Sequence, residues 1–429
     1  MSKYIKIFCS PYTLNSFLLL ISVFTELLYI AHSRTFAGDI KVLKDLKNGL
    51  DPNSITPGSC LSSWDFSIDP CDHLFTKRFT CGFRCDRVVS GLSRVTEIAL
   101  DQPGYSGSLG STGWNLPYLQ TLDLSDNSFH GPVPGSLSKL TGLRRLSLSM
   151  NSLTGSLPGS VGSLSLLQEL YLDNNHLHGP IPSSFNGLVS LKRLELQQNN
   201  FSGEFPDLGS LRNLYYIDIS DNTFSGEILA TFPTSLIELS LRNNYFHGSI
   251  PSGFGSLVYL QVLDLSHNHL SGSLSSVLFD HPSLQQVTLS HNQFSSLELD
   301  KNVGGDSKLI ALDLSYNELR GLLPAFMASM PELSALSLEH NKFTGMIPSH
   351  YALKAAIVGP GMAPFERLLL GGNYLIGPIP GPLMGLKPGS VNVSLVDNCL
   401  YQCPDLFFFC QGADQKSLVD CKSFGPYIP

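Results

Sequence analysis

Eight cysteines stand in two groups of four: Cys60, Cys71, Cys81 and Cys85, then Cys399, Cys403, Cys410 and Cys421. Four thiols in a group can hold zinc as thiolates or close two disulfides. Each group allows three disulfide pairings, and spacing does not choose among them. The ninth, Cys9, lies in a leading stretch that reads as a secretory signal. Lys3 and Lys6 supply its positive start, Phe17 to Phe24 its apolar centre, and Ala31-His32-Ser33 small residues for cleavage. Glu26 interrupts the apolar run, so an uncleaved anchor is the alternative to cleavage near Ser33. A secretory route places the remaining cysteines in an oxidising compartment, which favours disulfides over zinc.

A second set of reactive residue types recurs through the middle of the chain: Glu169, Tyr171, Asp173, Arg193, Glu195, Tyr216, Asp218 and Arg242. Two carboxylates can cleave a glycosidic bond between them. Here similar acids recur turn after turn, so no pair is singled out. Neither His-Glu-x-x-His nor Gly-x-Ser-x-Gly occurs. An enzyme is therefore not expected, nor is a cofactor or a bound metal. Tyr and Arg are the types that anchor protein interfaces. The eight residues are expected to touch a partner carrying some positive charge. The plainer reading is that the acids solvate a β-surface. His267, His291, Tyr316 and His340 form another column, which reads as a pH or metal sensor or as ordinary turn residues.

What positions these side chains is a repeat. Leu-x-Leu-x-x-Asn recurs with its Asn at 127, 151, 175, 199, 222, 244, 268, 292, 317, 341 and 373. The spacing is 22 to 25 residues except before Asn373, where it is 32. An earlier copy, Ile98-Ala99-Leu100, has Pro103 at the Asn position, giving twelve in all. In each copy the alternation turns the leucines inward and the residues between them outward, as in a short strand. No copy buries its leucines alone, so neighbours must stack around one apolar core. The recurring Asn suits a side chain that bonds buried turn backbone. These periods mark a leucine-rich repeat.

Composition agrees. Only 14% of residues are charged, while 42% are hydrophobic, and Gly and Pro number 38 and 27. Many tight turns around a real core are expected, not disorder. The net charge of −8 excludes broad phosphate binding, so no nucleic acid is expected as a partner. No second spanning segment follows the signal, so the product is expected free outside the cell. Stack ends expose core and need caps, and the cysteine groups sit where caps belong. The division expected is signal peptide 1–33, amino-terminal cap 34–92, repeats 93–396 and carboxy-terminal cap 397–429. Asp39 to Leu50 reads as an amphipathic helix with Ile40, Leu43, Leu46 and Leu50 on one face. Asn200-Phe201-Ser202 and Asn392-Val393-Ser394 are glycosylation sequons.

Several copies add Leu-x-Gly-x-Ile-Pro, as in Leu153-Thr154-Gly155-Ser156-Leu157-Pro158 and Leu177-His178-Gly179-Pro180-Ile181-Pro182. With Ser63-Trp64-Asp65 and Asp69-Pro70-Cys71 ahead of the repeats, the sequence resembles extracellular domains of plant leucine-rich-repeat receptor-like proteins and kinases. The resemblance implies an α/β-type solenoid: a right-handed superhelix of about twelve plant-type repeats with a parallel concave sheet and disulfide-bonded caps. It also implies binding of a protein or peptide on the concave face, with a membrane receptor kinase or a pathogen enzyme as candidate partner. The kinase motifs are missing, so the expected role is a receptor-like protein or co-receptor partner in signalling or defence. An inhibitor of polygalacturonases and a passive wall-binding protein are the alternatives. The expected place is the apoplast or cell wall, or the membrane surface through a partner or the uncleaved anchor. Two departures stand out. Phe294-Ser295-Ser296-Leu297-Glu298 lacks both Gly and Pro, and the longest repeat carries its excess around Tyr351 to Pro364. That excess reads as a projecting loop or as a joint to the cap.

Overall fold

The computed structural model describes residues 34–300, 303–356 and 361–424. The signal peptide, Cys9 and residues 301–302, 357–360 and 425–429 lie outside these. No helix among the described residues is long and apolar enough to cross a membrane. The chain divides into two compact units, Met1–Leu153 and Thr154–Pro429.

In the first unit the helix Ala37–Asn48 runs two residues ahead of the expected span and buries Asp39, Val42, Leu43 and Leu46. Ile40 is only half-buried, because Asp39 turns inward instead. A buried carboxylate needs a counter-charge and donors. Asp39 accepts from Arg94 at 2.8 and 2.9 Å and from the Val95 amide at 3.0 Å. The cap cysteines pair as Cys60–Cys81 and Cys71–Cys85. Trp64 covers this cap, its indole N–H donating to the Cys81 carbonyl at 2.9 Å and its ring meeting the Phe83 ring edge-on at 5.2 Å. Strand Phe83–Arg84 pairs antiparallel with Glu97–Ala99, after which Thr121–Asp123 and Arg145–Ser147 add in parallel. The copy with Pro103 thus forms a true ladder strand.

In the second unit ten short strands lie in parallel, from Glu169–Tyr171 to Asn392–Ser394. Their middle residues, such as Leu170, Leu194, Ile217, Leu239 and Leu263, are fully buried. Each recurring Asn bonds backbone in its own turn and the preceding one. Asn199 donates to the Leu172 and Leu196 carbonyls at 3.0 and 3.1 Å and accepts from the Leu177 amide at 3.0 Å. Asn398 does the same with Leu370, Leu395 and Leu375. The repeat therefore runs one copy further than the sequence reading, into the carboxy-terminal cysteine group. That group pairs as Cys399–Cys421 and Cys403–Cys410. The residue before each Asn holds a left-handed backbone, from Asn174 at φ 54° to His340 at φ 50°.

A second set of parallel strands follows the Asn positions, and it is interrupted between Gln293–Glu298 and Arg320–Leu322. The interruption falls on the copy that lost Gly and Pro. The long repeat does not simply project. Much of its excess forms the helix Ser349–Ala356, which buries Tyr351, Ala352, Lys354 and Ala355.

Candidate ligand-binding surface

Parallel register in the second unit sets outward side chains in rows. Glu169, Arg193, Tyr216 and Glu238 are consecutive partners in one row, and Tyr171, Glu195, Asp218 and Ser240 in the next. Six of the eight sequence-chosen residues therefore occupy adjacent places on three neighbouring strands. Arg242 lies just beyond the fourth strand and is exposed. Asp173 does not join them. It is only 6% exposed, and its carboxylate accepts from the Asn174 side-chain amide at 2.8 Å. Glu238, absent from the sequence choice, completes the first row. The 22-residue step from Tyr216 would have found it.

Arg193 organises the patch. Its Nε donates to Glu195, and its guanidinium carbon sits 3.6 Å from the centre of the Tyr216 ring. Glu195 also accepts from Gln197 at 3.1 Å, and the Tyr171 hydroxyl donates to Glu169 at 3.2 Å. Burial alone would lower the Arg193 pKa, but its bond and charge pairing with Glu195 raise it. Burial raises Asp218 and Glu238 above the usual carboxylate range. Glu195 adds to that rise in both, while Arg193 opposes it at Glu238. Burial, then the charges of Asp218 and Glu238, push the Tyr216 phenol up to about 12. The surface is thus an acidic one with a tyrosine at its centre and one arginine already engaged.

The histidine column becomes a stack of exposed rings. His267 and His291 lie 4.1 Å apart at 14°, His291 and Tyr316 4.2 Å at 9°, and Tyr316 and His340 4.2 Å at 21°. Near-parallel imidazoles send their in-plane lone pairs side by side, so the lone pairs do not converge on one ion. The His340 ring covers Gly372, where an added Cβ would lie 2.5 Å from Nδ1. Among the described residues the close group of candidate ligand atoms is Cys60, Cys81 and Asp101, whose cysteines are joined to each other. Of the two sequons, Asn200 is exposed at the head of strand Asn200–Gly203, and Asn392 is exposed on the last ladder strand.

These features match known proteins. The family described as leucine-rich repeat region matches residues 108–356, more than half the chain. The chain belongs to the leucine-rich-repeat family. A probable leucine-rich repeat receptor-like serine/threonine-protein kinase of Arabidopsis thaliana is 35% identical over 83 residues, 17% of this chain and 8% of the relative. The plant peptide hormone receptor RGFR1, solved in complex with RGF2, superposes with a TM-score of 0.59 at 30% identity, covering 72% of this chain and 53% of that one. The ectodomain of the Arabidopsis receptor kinase HAESA, solved with an IDA peptide hormone, gives a TM-score of 0.57 at 26% identity, covering 75% and 62%. The fold is that of plant receptor ectodomains, and the chain spans about half to two thirds of those two solved chains.

Proposed function

We propose that this chain is an extracellular binding protein of plant signalling or defence, and not an enzyme. The strands from Glu169 to Ser240 receive a protein or peptide segment carrying positive charge. One observation carries the reading: Arg193 is already committed to Glu195 and Tyr216, while Asp218 and Glu238 are raised beside it. A cation from a partner relieves that accumulation of carboxylates. Tyr171 and Tyr216 supply the rigid aromatic area that anchors interfaces. The peptide hormones bound by RGFR1 and HAESA support a peptide as the occupant. The protein acts outside the cell, in the apoplast or wall, glycosylated at Asn200 and Asn392. It signals as a receptor-like protein or through a membrane receptor kinase.

The test is paired capture. The protein and a Tyr171→Ala/Tyr216→Ala/Arg242→Ala form are each incubated with plant membrane extract and with fungal secretions. A plant receptor or basic peptide held only by the unaltered form supports the reading. A fungal wall-degrading enzyme held instead transfers the role to enzyme inhibition. Identical capture by both forms removes the patch from the binding surface and leaves passive wall attachment.

A further inference from the structure

The longest repeat builds a cleft with no counterpart in its neighbours' sequences. Its helix Ser349–Ala356 and the short helical turn Ala325–Ser329 border a cleft of about 340 Å³. That volume lies within the range of small-molecule sites. Ala328, Leu353, Met362 and Ala363 make its wall largely apolar. Two titratable side chains line it: His350, which is exposed, and Lys354, which is 6% exposed.

Lys354 is unusual for a buried cation. Its amine donates to the Met330 carbonyl and lies 5.2 Å from the centre of the Phe365 ring. An ammonium has three donors, and among the described residues the Met330 carbonyl accepts one of them. No carboxylate pairs with it among the described residues, and burial pushes the amine down to about 8. Buried lysines are ordinarily paired with an acid. Here the space beside the side chain is an apolar cleft.

We propose that this cleft binds a small apolar molecule bearing one carboxylate, with the carboxylate against Lys354 Nζ and the apolar body between Leu353 and Met362. This site is separate from the acidic surface at Tyr216 and would take a different ligand. The molecule's charge satisfies the amine's other donors, and its body fills a wall that water wets poorly.

The probe is 2-naphthoate, with neutral 2-naphthamide as its uncharged counterpart, both titrated by calorimetry against the whole chain. Saturable binding of naphthoate, at least about tenfold tighter than naphthamide, is expected. Naphthoate affinity should fall as pH rises from 7 to 9 and the amine loses its proton. In Lys354→Met the preference for the charged probe should vanish, while Tyr216→Ala leaves it intact. Equal binding of the two probes by the unaltered protein, or no saturable binding of naphthoate, overturns the proposal. So does a charge preference that survives in Lys354→Met. Should that variant fail to fold, the pH series and the probe comparison on the unaltered protein decide alone.

Discussion

Arg193 sits over the ring of Tyr216, its guanidinium carbon 3.6 Å from the ring centre, while its Nε is held by Glu195. Two neighbouring strands thereby fix a cation that would otherwise repel a basic ligand. The contact makes Tyr216 both a support for Arg193 and the aromatic centre of the surface.

Tyr216→Ala should therefore weaken the captured partner by about 2 kcal/mol, roughly 30-fold in affinity. Arg242→Ala removes an exposed cation at the rim, and should leave the affinity for a basic partner unchanged or raise it by about 1 kcal/mol or less. Biolayer interferometry with the purified partner gives both numbers. A Tyr216→Ala effect no larger than that of Arg242→Ala would remove Tyr216 from the centre.

His291 should make stability depend on mild acid. Burial, then the charges of His267 and His340, lower its pKa, and Asp313 only partly opposes this. The unfolded chain takes up the proton first, so the contribution is whole above about pH 6.5. It is lost as pH falls through the range just beneath that value. Urea midpoints at pH 7 and pH 5 should differ less in His291→Gln than in the unaltered protein. Equal differences would rule the stack out as the source.

Gly372 stands at φ 69°, and the His340 ring occupies the place of a side chain. Gly372→Ala should destabilise by about 1–2 kcal/mol from backbone strain alone. It should also lift His340 off the stack, shifting its ring resonances in an NMR spectrum. An unshifted His340 signal would contradict the contact.

Asp39→Asn should be the costliest single change in the first unit. It leaves Arg94 buried without its counter-charge, which typically costs about 3–5 kcal/mol. Thermal denaturation with the cap disulfides intact measures it. A loss below about 1 kcal/mol would mean that water reaches Arg94 in the folded state.

Much of this was legible in the sequence. The period placed the ladder strands from Glu97–Ala99 to Arg367–Leu369, and the fixed Asn announced its role because buried turn backbone has few other partners. Adjacency of Tyr171, Arg193, Glu195, Tyr216 and Asp218 followed from counting repeats. Disulfide pairing was not legible, since it depends on how each cap folds back on itself. The burial of Asp173 was not legible, because alternation predicts a side chain's direction but not how closely its neighbours cover it. The copy ending at Asn398 was hidden by Val393 in the first Leu position and by the cysteine that follows the Asn. The Lys354 cleft arose from eight extra residues whose short apolar run reads equally well as loop or helix.

The interruption between Gln293–Glu298 and Arg320–Leu322 has a thermodynamic meaning. A stack of repeats is held by couplings between nearest neighbours, so its cooperativity is only as strong as the weakest coupling. At this seam one of the two strand layers stops, and the ladder strands Gln286–Thr288 and Ala311–Asp313 carry the strand-to-strand connection. The repeats from Arg320 onward keep their own second layer and their own disulfide-closed end. Hydrogen exchange should therefore read opening of the repeats from Arg320 onward at a lower free energy than opening of the acidic surface upstream.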